Sequence, residues 1–287
     1  MLGPNGAGKT TLISVISGLL APDSGRVVIG GHDLQREALA ARAMLGVVPQ
    51  EIALYEDLSA RQNLRFFGRL CGLGGRELEQ CVDETLTFID LRERQHERAR
   101  SYSGGMKHRL NIGIGLLHRP QLVYMDEPTV GVDAQNRRRI LDTVLRLRDE
   151  RRMTVLYTTH LMEEAQELSD RVGIIDHGRL IAEGTVGELV LRAGEADRLE
   201  IETGAATRVD AALLQRLADE IAGISNARMA GTEERRCLVV QAGRGRQVLA
   251  PLISALGQAG VEVRSVAVSE PDLEAVFLQL TGRGLRD

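Results

Sequence analysis

The sequence predicts an α/β chain with a mostly parallel sheet, followed by a smaller α+β domain. Three observations carry that expectation. A glycine-rich loop, Gly3-Pro4-Asn5-Gly6-Ala7-Gly8-Lys9-Thr10, runs straight into an apolar helical stretch. Short apolar runs of strand length then alternate with helical runs as far as about Gly184, the pattern of strands laid parallel with helices packed over them. Beyond that point the order changes to strand, helix, strand, strand, helix, strand, helix, which suits a small α+β unit.

Taken in order, Leu12–Leu20 reads as the helix leaving the loop. Val27–Ile29 is a short strand before a Gly30-Gly31 turn, and Leu45–Val48 is a strand ended by Pro49. Ser59 and Gln62 have capping-box spacing, so an amphipathic helix follows to about Leu70. Leu78, Val82, Leu86 and Ile89 form one apolar face on a helix over Arg76–Ile89. A helix from about Gly105 ends near Pro120, because the residue before a proline avoids helical geometry. Leu122–Met125 is a buried strand, Ala134–Arg151 a charged surface helix, Thr154–Tyr157 a strand and Leu161–Leu168 a helix. Val172–Ile175 and Arg179–Ala182 are strands joined at His177-Gly178. In the second part the expected elements are strand Leu199–Glu202, helix Ala211–Ile221 and strands near Ala227–Ala230 and Cys237–Gln241. Helix Val248–Ala259, strand Val261–Val268 and helix Pro271–Leu280 complete it. The expected division is 1–194 and 195–287.

Composition narrows the function classes. At 287 residues and 43% apolar content the chain can bury a core of one or two domains. A net charge of −4 and a pI near 5.9 argue against nucleic acid as a partner, since such binding rests on basic patches. Pairs such as Arg235-Arg236 read as solvated faces. No apolar run approaches the roughly 18 residues of a membrane span, and the best stretch, Leu12–Ala21, is broken by Ser and Gly. No signal peptide is expected either, because Met1-Leu2 runs directly into the loop. Cys71, Cys81 and Cys237 are scattered, which fits reduced thiols rather than a disulfide or metal framework. Only two of the 36 basic residues are Lys, at 9 and 107. Lys9 therefore looks chemically required.

The loop fits G-x-x-x-x-G-K-[ST], whose curled backbone turns several N–H groups toward a phosphate while the following helix adds its positive end. Gly3, Pro4, Asn5, Gly6, Ala7, Gly8, Lys9, Thr10 and Thr11 are the expected nucleotide-binding residues. Lys9 would reach the β- and γ-phosphates as a compact charge, and the Thr10 hydroxyl would hold Mg²⁺. Leu122-Val123-Tyr124-Met125-Asp126-Glu127 is an apolar strand ending in two acids. Alone it reads equally as a strand meeting a solvated turn at Pro128. Beside the loop, Asp126 would hold Mg²⁺ through water, and Glu127 would polarise an attacking water.

Ser101-Tyr102-Ser103-Gly104-Gly105-Met106 resembles the signature segment of ABC-type ATPases. Val47-Val48-Pro49-Gln50 is similar to the Q-loop, Gly131-Val132-Asp133 to the D-loop, and Thr158-Thr159-His160 to the switch-histidine segment. The order agrees, and the gaps are family-like: 41 residues from Lys9 to Gln50, 23 from Ser103 to Asp126 and 34 from Asp126 to His160. The resemblance covers about 1–194 and implies a P-loop NTPase fold, a RecA-like core with an ABC helical subdomain at about 52–118. It implies ATP and Mg²⁺ as ligands, with Glu127, His160 and Gln50 catalytic and Thr10, Gln50 and Asp126 around the metal. Ser103, Gly104 and Gly105 would clamp the γ-phosphate of ATP held by a second subunit, with Asp133 at that head-to-tail interface. His32, His96, His108, His118 and His177 get only a surface or core reading. The stretch from Glu51 to Leu58, with Leu54 and Tyr55 among acids, is similar to the region that docks the membrane subunit; an ordinary surface loop is the alternative.

Tyr102 stands where the signature usually has Leu, and Met106 where it has Gln; both occur in similar exporter-type members. The ending EPDLEAVFLQLTGRGLRD resembles ABC-2-type exporter ATPases of the daunorubicin-resistance kind, although Leu273, Val276, Phe277 and Leu280 also read as the buried face of a closing helix. The resemblance implies an ATP-hydrolysing exporter subunit, peripheral on the inner face of the cell membrane, working with an ABC-2-type transmembrane permease and a second ATPase subunit. A soluble ABC ATPase acting on DNA is disfavoured, because the 53 residues from Gln50 to Ser103 leave no room for a long coiled coil. A ribosome-associated member usually carries two cassettes. A binding-only nucleotide sensor stays open through the chain's start. Similar proteins have a strand and an adenine-stacking aromatic before this loop, and all eight aromatics here lie after it. Met1 is thus expected to be an internal methionine or the edge of a fragment.

Overall fold

The computed structural model describes residues 1–193, 197–204, 209–231, 236–243, 245–269 and 272–281. It divides into a unit covering Met1–Ala182 and a second unit from Glu183 onward. The expected boundary at 194 and 195, Arg235, and Pro271 with the segment after Thr281 lie outside the described residues.

The first unit runs α1 (Lys9–Ile16), β1 (Val28–Ile29), β2 (His32–Asp33), α2 (Ala38–Ala43), β3 (Leu45–Val48), α3 (Ala60–Leu70) and α4 (Gly75–Phe88). A 3₁₀ turn at Ala99–Ser101 leads to α5 (Gly104–Leu116), β4 (Leu122–Asp126), α6 (Ala134–Arg151), β5 (Thr154–Thr158), α7 (Met162–Leu168), β6 (Val172–Asp176) and β7 (Arg179–Gly184). Strands β3, β4 and β5 are parallel in that order, with Val48 opposite Met125 and Asp126 opposite Thr158. Leu2 is fully buried and bridges in parallel to both Thr159 and Ile174. Its N–H donates to the Gly173 carbonyl at 2.9 Å and its carbonyl accepts from Ile175 N–H at 2.8 Å. The glycine-rich loop therefore departs from sheet level at the carboxyl end of β5. In open α/β sheets, that edge is where ligands bind.

Helices α3, α4 and α5 pack around Leu64, Val82, Leu86, Leu110 and Ile112, all fully buried. The capping box is present: Ser59 Oγ accepts from Gln62 N–H, and the Gln62 side chain accepts from Ser59 N–H. One turn into the helix, fully buried Asn63 accepts from Tyr55 N–H at 2.9 Å and donates to the carbonyls of Tyr55, Leu58 and Ser59. One side chain thus supplies the backbone bonds that the loop before α3 lacks. Phe88 carries Arg146 and Arg151 over its ring at 4.7 and 4.2 Å, tying α4 to the far end of α6.

Two expectations need correction here. Helix α1 stops at Ile16 rather than Leu20, because Ser17 N–H closes on Ile13 and the chain turns outward, leaving Leu19 74% exposed. The strand at Val28–Ile29 is one residue shorter than expected and pairs antiparallel with β2, a polar dipeptide that no hydrophobic pattern marks.

The second unit runs α8 (Val186–Ala193), β8 (Asp197–Thr203), α9 (Ala211–Glu220), β9 (Ile224–Gly231), β10 (Arg236–Ala242), α10 (Gly245–Gln258), β11 (Val263–Ser269) and α11 (Leu273–Thr281). Its sheet is antiparallel, ordered β11-β8-β10-β9. Leu199, Ile201, Leu238 and Val240 meet Leu213, Leu217, Leu252 and Leu256 from α9 and α10. That is the period-2 face of a half-buried sheet under two helices. On α11, Leu273, Val276 and Phe277 are buried as expected, but Leu280 is 48% exposed, one turn past the contact.

Candidate active site

Lys9 is the first residue of α1 and is only 4% exposed. Gly8 before it holds φ at +99°, a left-handed turn that a side chain resists. This turn lets the loop wrap back over Lys9. The ammonium donates to the carbonyls of Gly3 at 2.7 Å and Pro4 at 2.9 Å, and pairs with Glu127 Oε1 at 2.9 Å. An ammonium has three protons, so its donors are all used. The N–H groups of Gly8, Lys9, Thr10 and Thr11 have no carbonyl partner among the described residues, as expected at a helix start. Gly6 and Thr10 are exposed beside them. The loop therefore offers unpaired amides around one buried cation, which suits a polyphosphate.

Strands β4 and β5 deliver the acids. Thr158, fully buried at the end of β5, donates from Oγ1 to Asp126 Oδ1 at 2.6 Å and accepts from Glu127 N–H at 3.0 Å. Glu127 takes φ of +43°, uncommon for a residue with a side chain. Two bonds hold it there, from its N–H to the Thr158 hydroxyl and to the Thr158 carbonyl at 3.2 Å. The turn swings the Glu127 carboxylate between two partners: Lys9 on Oε1 and His160 Nδ1, 3.0 Å from Oε2. A carboxylate beside an imidazole and a buried cation can accept a proton from water and hold its orientation.

Among the described residues no cluster of three or more His, Cys, Asp or Glu gathers as a metal cage. Asp126 keeps one oxygen without a hydrogen bond among the described residues. Mg²⁺ is bound through one or two protein oxygens and substrate phosphates, so the donor set of Asp126 and the Thr10 hydroxyl fits that ion.

Gln50 is not brought to this cluster. It is exposed after β3, with no hydrogen bond among the described residues; Asn111 donates to the neighbouring Pro49 carbonyl at 3.2 Å. Ser103, Gly104, Gly105 and Asp133 form a separate group. Ser103 caps α5, accepting from Met106 N–H, and Asp133 caps α6, accepting from Asn136 N–H at 3.0 Å. The Asn136 amide also donates to Asp133 at 2.6 Å, and this bond holds the Asp133 carboxyl below the usual range. A Cβ on Gly105 would come within 2.2 Å of Asn136 Cγ, so the two helix starts touch at that glycine. Ser103 and Gly104 are exposed. The departures from the signature pattern are packed: the buried Tyr102 phenol donates to the Arg94 carbonyl at 2.6 Å, and Met106 Sδ lies 3.5 Å from Arg94 Nη1.

Tyr55 is half-exposed and stacks edge-on to Phe66, ring centres 4.7 Å apart, with Phe67 at 6.0 Å. Sequence reasoning missed Thr158, Thr129 and Glu164 as parts of the site. The available signal was a hydroxyl pair at the buried end of an apolar strand, just before His160.

Comparison with known proteins places the chain in a family. The family profile described as ABC transporter matches residues 1–130. The chain is 42% identical to the linearmycin resistance ATP-binding protein LnrL of Bacillus subtilis (strain 168), over all of this chain and 90% of that protein. It is 41% identical to the daunorubicin resistance ATP-binding protein DrrA3 of Streptomyces coeruleorubidus, over 98% of this chain and 86% of that one. A solved ATP-binding subunit of an ABC transporter superposes with a TM-score of 0.59 at 30% identity, covering 67% of this chain and 80% of that one.

Proposed function

The chain belongs to the ABC transporter family as an ATP-binding subunit, and from that membership and its site we infer that it hydrolyses ATP to power export through a separate membrane subunit. The observation that carries this is the convergence of Lys9, Glu127 and His160 within 3.0 Å contacts at the carboxyl ends of the strands. Among the described residues no helix is long and apolar enough to cross a membrane.

In this reading the loop amides and Lys9 bind the β- and γ-phosphates, and phosphate oxygens take over the Lys9 donors now given to Glu127. Glu127 is then free to orient and deprotonate the attacking water, with His160 holding its other oxygen. Thr10 and Asp126 would hold Mg²⁺, and Gln50, exposed after β3, would have to swing in to reach it; when bound, the ion would neutralise charge on the phosphates. Ser103, Gly104 and Gly105 bind the γ-phosphate on a second copy, with Asp133 at that interface, so two copies sandwich two ATP molecules head to tail. The aromatic patch at Tyr55 docks the membrane partner, which we take to be an ABC-2-type permease. The chain then sits on the cytoplasmic face of the membrane. The resistance roles named for its relatives point to a drug, antibiotic or lipid-like cargo.

The test is paired. The chain should co-purify with the ABC-2-type membrane protein encoded beside it. Its ATP turnover should vanish on Glu127→Gln while ATP-dependent dimers accumulate. Turnover that survives Glu127→Gln would refute the catalytic assignment.

A further inference from the structure

Glu164 lies in the first turn of α7, four residues after His160, and is 2% exposed. A carboxylate so deeply buried is costly unless every lone pair is matched. Here three hydroxyls converge on it. Thr129 Oγ1 donates to Oε1 at 2.7 Å, while the Tyr157 phenol and Thr159 Oγ1 donate to Oε2 at 2.9 and 2.8 Å. Arg137 Nε stands 4.0 Å from Oε1. Burial, and after it the nearby Glu164 charge, push the Tyr157 phenol far above its ordinary range, so it keeps its proton as a donor.

The three donors come from places that matter to one another. Thr129 is two residues after Glu127, and its carbonyl accepts from Val132 N–H, closing the turn that ends at Asp133. Thr159 directly precedes His160, and its hydroxyl also accepts from Leu161 N–H at 2.9 Å, so His160 is held from both flanks. Arg137 sits one turn into α6, with its N–H on the Asp133 carbonyl. One carboxylate thus joins the turn leading to Asp133 with the backbone that carries His160.

We propose that Glu164 is a positioning residue that locks the Thr129–Asp133 turn and the Thr159–His160 segment together, so that closure of a partner against Asp133 sets the Glu127–His160 pair. This rests on the roles proposed above for Glu127 and His160. A carboxylate accepts from all three hydroxyls at once. A glutamine turns one of its two positions into a donor, so the hydroxyl on that side must rotate to accept and the negative charge facing Arg137 is lost.

The test uses the full chain and four variants: Glu127→Gln, Glu164→Gln, Thr159→Val and the Glu164→Gln/Thr159→Val double. ATP affinity, steady-state turnover and melting temperature are measured for each. Glu164→Gln should lower kcat at least tenfold and leave KM for ATP within twofold, because the phosphate loop is untouched. Its effect should largely disappear in the Thr159→Val background, since both changes break the same link. Additive losses in the double variant, or equal losses in kcat and ATP affinity, overturn the proposal and make Glu164 a fold residue only. If Glu164→Gln does not fold, Thr159→Val alone carries the test with the same split between kcat and KM. If Glu127→Gln abolishes turnover while Glu164→Gln leaves kcat unchanged, this inference fails and the catalytic assignment stands. If Glu127→Gln leaves turnover intact, the assignment itself fails and this inference with it.

Discussion

Lys9 and Glu127 are a buried ion pair: Nζ lies 2.9 Å from Oε1, with the two side chains 4% and 8% exposed. The residue expected to bind phosphate and the residue expected to activate water are each other's partner. A phosphate drawn to Lys9 therefore acts on Glu127 as well, by competing for the proton that the ammonium points at Oε1.

Removing one member of such a pair leaves the other buried and uncompensated, at about 3–5 kcal/mol. Lys9→Met should lower the melting temperature markedly and abolish ATP binding. Adding Glu127→Gln to Lys9→Met should restore most of the lost stability without restoring binding. Denaturant unfolding of the four proteins in the cycle checks it, and equal stability of the single and double variants would contradict the pairing.

Gly105 is where the starts of α5 and α6 meet, with a Cβ there falling 2.2 Å from Asn136 Cγ and 2.5 Å from its Cβ. Since Asn136 is tethered to Asp133, it has little room to yield. Gly105→Ala should cost about 1–3 kcal/mol through overpacking and weaken ATP-driven dimerisation while sparing ATP binding by the monomer. Sedimentation with ATP, alongside a nucleotide titration, separates the two effects. Normal dimerisation would show the contact to be dispensable.

Thr158→Val removes the hydroxyl that bonds Asp126 and the Glu127 N–H. Asp126 Oδ1 is left without its partner, at about 1–3 kcal/mol, and the Glu127 N–H keeps only the carbonyl of residue 158. Glu127 should then relax from its positive φ, and turnover should drop by roughly tenfold to a hundredfold, the scale of a small misplacement. Turnover equal to the parent chain would mean that another contact holds Glu127.

The acid side of the stability profile follows from His118. Its Nε2 lies 3.1 Å from the Leu45 carbonyl, Nδ1 is buried without a partner among the described residues, and burial holds the imidazole below its ordinary value of 6.5. Below that pH the unfolded chain binds a proton that the folded chain refuses. Stability therefore falls as pH drops through about 6.5 and levels off once the folded imidazole also protonates. Between pH 7 and 5.5, His118→Gln should lose less stability than the parent chain. Parallel slopes for the two would exclude His118 as the source.

Much of this was legible in the sequence where one residue type has one physical use. Strand β3 ends where Pro49 forbids another ladder bond, and α6 spans the expected residues because Asp133 caps its start and Arg152 turns left-handed at its end. Lys9, Asp126, Glu127 and His160 could be named because loop, strand end and spacing each carry chemistry. The short helices α2 and α8 and the polar strand β2 were missed, since none shows a long apolar period. Thr158 and Glu164 were hidden for a different reason. Thr158 acts through its register opposite Asp126, and Glu164 through hydroxyls brought in from two separate stretches of chain. Leu280 misled because helical spacing continues past the point where α11 has anything to pack against.

No hydrogen bond or ion pair joins Lys9, Glu127 and His160 to Ser103 and Asp133 among the described residues, and under the proposed head-to-tail pairing each site would draw one half from each copy. This has a genetic consequence. A chain carrying Glu127→Gln and a chain carrying Ser103→Arg should each be inactive alone. Co-expressed, they should assemble mixed pairs in which one site inherits both defects and the other inherits neither. Such strains should recover up to half the turnover per mixed dimer, whereas two defects in the same half should never complement.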